Sequence, residues 1–152
     1  MKSPVTKAIV VATALCGTLD ILFAMILTIA FGRQVGNMLR FVASGPFPAA
    51  TEMGAAGAVL GVVVHFALMA TMATVFVVAA RARPSLLNRP ALAGLAYGLI
   101  TYFVMNWLIV PLRFGGPLPL KPISIATQLF AHIILVGLPT AFIARRYLRP
   151  LR

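Results

Sequence analysis

Four long apolar runs, at residues 8–31, 54–80, 90–110 and 122–143, leave this chain few folds to choose from. Each exceeds the roughly 18 to 20 residues that a helix needs to cross a bilayer core. In hydrocarbon every backbone N–H and C=O must find an internal partner, which restricts spanning structures to helices and closed barrels. The alternation of a barrel strand is absent, so the runs are expected to be helices. The expected fold is all-α, an integral membrane four-helix bundle forming one domain over residues 1–152.

Composition points the same way, with 61% apolar residues, 10% charged residues and a mean hydropathy of +1.02. Lipid is the solvent such a chain suits. The net charge of +11 could suggest nucleic acid. Phosphate-binding proteins, however, gather cations on one face, whereas here they flank apolar runs. The bilayer is therefore the expected partner and nucleic acid is not. A homo-oligomer or a membrane partner protein stays open.

Lys2, Lys7, Arg81, Arg83, Arg89, Arg145, Arg146, Arg149 and Arg152 fall on one side of the four runs, against Arg33, Arg40, Arg113 and Lys121 on the other. Nine cations against four are expected to place both termini on the cytoplasmic side of the membrane. Thr28-Ile29-Ala30 resembles a signal-peptide cleavage triplet. The run before it exceeds an h-region of roughly 7 to 15 residues and contains Asp20, so it is expected to remain as the first helix.

Between the first two runs, Arg33, Asn37, Arg40 and Ser44 recur at helical spacing, while Val35, Met38, Leu39 and Val42 point the other way. This pattern predicts a short interfacial helix over residues 33–44 on the outer surface. Pro46 and Pro48 end it. The third connection, 111–122, holds four prolines and the Gly115-Gly116 pair, which predicts a stiff non-helical loop over the outer mouth.

Each run carries one strongly polar residue: Asp20, His65, Asn106 and His132. At about 1.5 Å of rise per residue, all four lie roughly 20 to 24 Å from the cytoplasmic boundary, in a single layer. Small and polar stripes accompany them. Thr13, Gly17, Asp20, Ala24 and Thr28 share one face of the first helix, and Gly57, Gly61, His65 and Met69 one face of the second. Gly94, Gly98, Tyr102 and Asn106 align on the third, and Ser124, Gln128, His132 and Thr140 on the fourth. Small residues four apart let helices approach closely in lipid, so Gly17, Gly57, Gly61, Gly94 and Gly98 are packing candidates. Pro139 removes the partner of the Leu135 carbonyl and predicts a kink just after His132.

An isolated charge at this depth costs at least about 2.5 to 3.5 kcal/mol, so Asp20 must be protonated or paired. His65 and His132 are its natural partners, because histidine changes charge near neutral pH. The layer, with Tyr102 and Gln128 beside it, then suits a proton relay or a small-solute or ion site. The alternative is a hydrogen-bonded network that only fixes helix packing, worth about 0.6 kcal/mol per bond. Two histidines on separate helices also suit b-type haem, with Gly57 and Gly61 making room for the ring. Asp20, His65 and His132 have the chemistry of a divalent-metal site, although no spacing marks one. Apart from these alternatives no cofactor is expected.

Catalysis finds little support, since the chain has no nucleophile motif, phosphate-binding loop or carboxylate pair, and an enzyme is not expected. Ser44 reads as a helix terminus. The lone Cys16 excludes an internal disulfide and reads as a small packing residue. Small multidrug-resistance transporters are similar in having four helices and one carboxylate in the first. This chain departs from them in its length, its interfacial helix and its histidines. A broader resemblance rests on residues 17–20, Ala43-Ser44-Gly45, His65-Phe66, Tyr97-Gly98, Tyr102, Met105-Asn106, Val110-Pro111-Leu112, His132 and Val136-Gly137-Leu138-Pro139. In these stretches the chain resembles a family of small four-helix bacterial inner-membrane proteins with no assigned activity. The resemblance covers nearly the whole chain and implies that the polar positions belong to the family's signature stretches.

Overall fold

The computed structural model describes residues 3–115 and 121–149. Four helices are long and apolar enough to cross a membrane: α1 (Pro4–Ala30), α3 (Gly54–Ala82), α4 (Pro90–Phe114) and α5 (Pro122–Leu148). The short α2 (Val35–Ser44) follows α1. Among the described residues there is no strand. Prolines pre-set the backbone at the first position of α1, α4 and α5, where a missing N–H costs nothing. The Ser3 hydroxyl caps α1 by accepting from the Thr6 N–H at 3.2 Å.

Both described termini lie at one end of the bundle, here called proximal, and α2 lies at the distal end. α1 packs along α3 and α5, and α4 packs along α5. The backbones of α3 and α4 hardly meet, so the helices run in the order α3, α1, α5, α4 with a gap between the last and the first. Proximally, Tyr97 closes that gap: its hydroxyl donates to the Met72 carbonyl at 2.6 Å and its ring lies 5.0 Å from Phe76. Ala8, Phe76, Val77, Ala80, Leu87, Ala141 and Ala144 form an apolar core there. The distal half of the gap stays open.

The exterior is apolar. Ile26 and Ile29 on α1, Val59 and Val63 on α3, Ile100 and Phe103 on α4, and Ile123 and Phe142 on α5 all point outward and are exposed. A water-soluble bundle buries such residues, whereas a lipid-facing one displays them.

The structure corrects several sequence expectations. The α4 helix does not stop at residue 110 but continues through Pro111 to Phe114 and ends at Gly115, which has a left-handed φ of 72°. A widened π turn over Val104–Ile109 precedes Pro111, and a second over Ala131–Gly137 precedes Pro139. A proline cannot donate to, and clashes with, the carbonyl four residues back. Shifting the preceding turn to longer-range bonding absorbs the fault without ending the helix. The rest of the expected third loop, residues 116–120, lies outside the described residues.

Gly57 and Gly61 do not receive another long helix. A Cβ at Gly61 would sit 2.0 Å from the Leu39 carbonyl oxygen, and one at Gly57 would sit 2.2 Å from that of Ala50. These glycines seat α2 and the turn after it on α3. Ser44, expected on the polar outer face of α2, is buried and donates to the Phe41 carbonyl at 2.7 Å.

Gly94 and Gly98 do pack helix on helix. A Cβ at Gly98 would lie 2.6 Å from the His132 oxygen, and one at Gly137 would lie 2.3 Å from the Gly94 oxygen. Gly17 accepts the edge of the Phe66 ring. Cys16 is buried between α1 and α5, 3.4 Å from the Thr140 hydroxyl.

Candidate functional site

The open distal half of the bundle encloses a cavity of about 490 Å³. Asp20 from α1, His65 from α3, Asn106 from α4, and Gln128 and His132 from α5 all line it. Four of these residues shared one depth in the sequence. The structure brings that layer to one space, with Phe23, Phe41 and Phe114 and three methionines supplying much of the apolar wall.

The histidines differ in what they hold. His65 Nε2 lies 2.9 Å from the Gly17 carbonyl oxygen, which can only accept, so Nε2 carries the proton and donates. The other nitrogen, Nδ1, faces Asp20 with 3.9 Å between Nδ1 and Oδ2. A bare Nδ1 opposite an ionised carboxylate would set lone pair against lone pair. One proton therefore belongs between them, carried either by Asp20 or by the imidazole. Among the described residues no other acidic side chain lies this close to a basic one.

Thr101 holds His132. Its hydroxyl donates to the Gly98 carbonyl at 3.0 Å and so can only accept from His132 Nδ1, 3.1 Å away. The neutral tautomer then carries its proton on Nδ1 and leaves Nε2 bare, without a hydrogen-bond partner among the described residues. Asn106 donates its amide to the Tyr102 carbonyl one turn back, at 3.1 Å, and keeps its oxygen free. Among the described residues no hydrogen-bonded network joins all four helices. His65, His132 and Asn106 are each held by one hydrogen bond, the histidines to a neighbouring helix and Asn106 to its own, and of the four layer residues only Asp20 and His65 face each other.

The widened turns explain this placement. Asn106 and His132 both lie within them, where an extra residue per turn shifts the side chains that follow. Gln128 and Ser124 precede the widened turn of α5, in the stretch Pro122–Phe130, where no residue is buried. Both are exposed, although Gln128 still reaches the cavity wall. Tyr102 does not line the main cavity. It is buried against α5, with its ring 6.1 Å from that of His132, and it borders a neighbouring cavity of about 410 Å³ with Arg33 and Lys121. The two cavities share Phe41, Asn106 and Gln128 as common wall.

Sequence reasoning missed Arg113. It stands on the last turn of α4, lines the cavity, and donates to the carbonyls of Ser44 (2.8 Å) and Gly45 at the end of α2. Its guanidinium lies over Phe114, which stacks on Phe41 at 4.5 Å. These contacts latch α2 to α4 across the distal mouth. The continuation of the helix past Pro111 was the missing signal.

Among the described residues no three His, Cys, Asp or Glu side chains meet as metal ligands. The room beside Gly57 and Gly61 that a haem ring would need is filled by α2 and the turn after it. Compared with known proteins, the chain matches no family model, no curated protein and no solved structure.

Proposed function

We propose that this chain is a multi-pass protein of the bacterial inner membrane, with both termini cytoplasmic, whose distal cavity binds a small hydrogen-bond-donating solute in step with proton movement at Asp20 and His65. The observation that carries this reading is the placement of Asp20 Oδ2 3.9 Å from His65 Nδ1 on the wall of a cavity that Asn106, Arg113, Thr127, Gln128 and His132 also line. The free atoms facing inward are mostly acceptors: the Asp20 carboxyl, the bare His132 Nε2 and the Asn106 oxygen. A solute bearing N–H groups satisfies them, and the surrounding rings and methionines suit its apolar part. A donor arriving at Asp20 competes for the lone pairs that hold the shared proton, so solute entry and proton release are linked.

A pure packing role fits less well, because the expected four-way network is not formed and the Asp20 carboxyl has no hydrogen-bond donor among the described residues. The test is proton flux in liposomes loaded with a pH-sensitive dye under an imposed gradient. Wild type should dissipate the gradient at least tenfold faster than Asp20→Asn, with the two proteins melting alike. Equal flux at the level of empty liposomes would reject the proton role. Lower melting of Asp20→Asn together with that equal flux would favour packing.

A further inference from the structure

The proximal end of the bundle holds a second concavity, a groove of about 1230 Å³. Its floor includes the buried Ala80 and Leu87, and Val5, Tyr147 and Leu148 extend its apolar surface. Four exposed cations stand around it: Lys7 from α1, Arg81 from α3, and Arg146 and Arg149 beside the end of α5. The chain has two acidic side chains, Asp20 and Glu52, and both belong to the distal half. No aspartate or glutamate can neutralise this groove.

Two of the four distal cations are committed to backbone carbonyls. Distally, Arg40 donates to the Gly54 carbonyl, and Arg113 to those of Ser44 and Gly45. Proximally, Lys7, Arg81 and Arg146 donate to no protein acceptor among the described residues, and Arg149 donates only to the Asn88 side chain, at 2.8 Å. Four like charges converging from three helices repel one another until an anion joins them.

We infer that this groove is a binding site for the phosphate headgroup of an anionic lipid, with the cations on its phosphates and the apolar floor under its glycerol and upper acyl chains. The long apolar helices place the groove at the height of a headgroup layer, and basic concavities at such helix ends suit lipids with one or two phosphates. A free phosphate would use the cations but would leave the apolar floor uncovered. The assignment is independent of the proton role of the distal cavity.

The test uses the full-length protein purified in detergent, titrated with diphosphatidylglycerol, phosphatidylglycerol, phosphatidylcholine and inorganic pyrophosphate, with bound lipid counted by native mass spectrometry. Retention should fall in that order. At about 1 kcal/mol per cation, Arg81→Gln/Arg146→Gln should weaken diphosphatidylglycerol binding on the order of 30-fold. Lys7→Gln/Arg149→Gln should do the same, which guards against one pair simply misfolding. Arg33→Gln/Lys121→Gln, at the distal end, should leave binding unchanged. Equal loss in the distal pair would reduce the effect to net charge and overturn the site. Phosphatidylcholine bound as tightly as the anionic lipids would overturn the phosphate assignment, and pyrophosphate bound as tightly as lipid would overturn the lipid source.

Discussion

Gly61→Ala adds a single methyl group where α3 carries α2. That carbon would sit 2.0 Å from the Leu39 carbonyl oxygen, 2.6 Å from its carbon and 3.1 Å from its Cα. All three are backbone atoms, so no side-chain rotation relieves the clash. Restoring ordinary contact requires α2 to back away by roughly 1 to 1.5 Å. Overpacking of this kind costs about 1 to 3 kcal/mol, which for a chain of this length corresponds to a fall in Tm of roughly 2 to 12 °C. Because α2 brings Phe41 and Val42 to the cavity wall, the same movement should loosen the distal mouth. Gly36→Ala is the matched control. A Cβ there meets only the Arg40 guanidinium at 3.6 Å, and alanine is the better helix former, so stability should hold or rise by up to about 1 kcal/mol. Thermal melts of both variants, followed by helical circular dichroism in detergent, decide the matter. An unchanged Tm for Gly61→Ala would show that α2 does not rest on α3 as described.

Reporter fusions after Arg83 and Arg149 should report cytoplasm, and fusions after Ala49 and Gly115 the outer side; the opposite pattern would reverse the proposed orientation. Arg113→Gln removes the latch between α4 and α2. Bonds to a charged donor are worth about 1.5 to 3 kcal/mol when buried and less at this exposed site, so limited proteolysis should cut near Gly45 faster while the melt of the long helices moves little. Unchanged cleavage would show that the latch does not hold α2. Protein purified from haem-replete cells should be colourless, because α2 and the following turn fill the room beside Gly57 and Gly61. A Soret band lost in both His65→Ala and His132→Ala would contradict that.

Asp20, His65, Asn106 and His132 could be set at one depth from the sequence because helical rise is constant and lipid turns polar groups inward. Their convergence on one cavity follows from those two facts. The partners of the glycines were less legible. The spacing of Gly57 and Gly61 announces a close approach but not what approaches, and its use by α2 depends on how the chain turns back at Ala50. Gly94 and Gly98 carry the same signal and do meet a long helix. Pro111 reads as a stop, and Arg113 as a loop residue, because the π turn before them has no sequence signature of its own. Ser124 and Gln128 share a helical face with His132, but no residue of Pro122–Phe130 is buried, and spacing along one helix does not show that. The role of Thr101 in fixing the His132 tautomer depends on side-chain geometry between α4 and α5, which no single-helix pattern contains.

In the proposed function, a proton held between Asp20 and His65 exchanges with water through the distal cavity. With only Asp20 and Glu52 as acidic side chains, infrared spectroscopy can resolve it residue by residue. The protonated-carboxyl band of reconstituted protein should change with pH, shift in D₂O, disappear in Asp20→Asn, persist in Glu52→Gln, and alter its pH response in His65→Gln. A carboxyl band assigned to Asp20 that ignores both pH and D₂O would mean a sealed, dry acid, and would contradict the account.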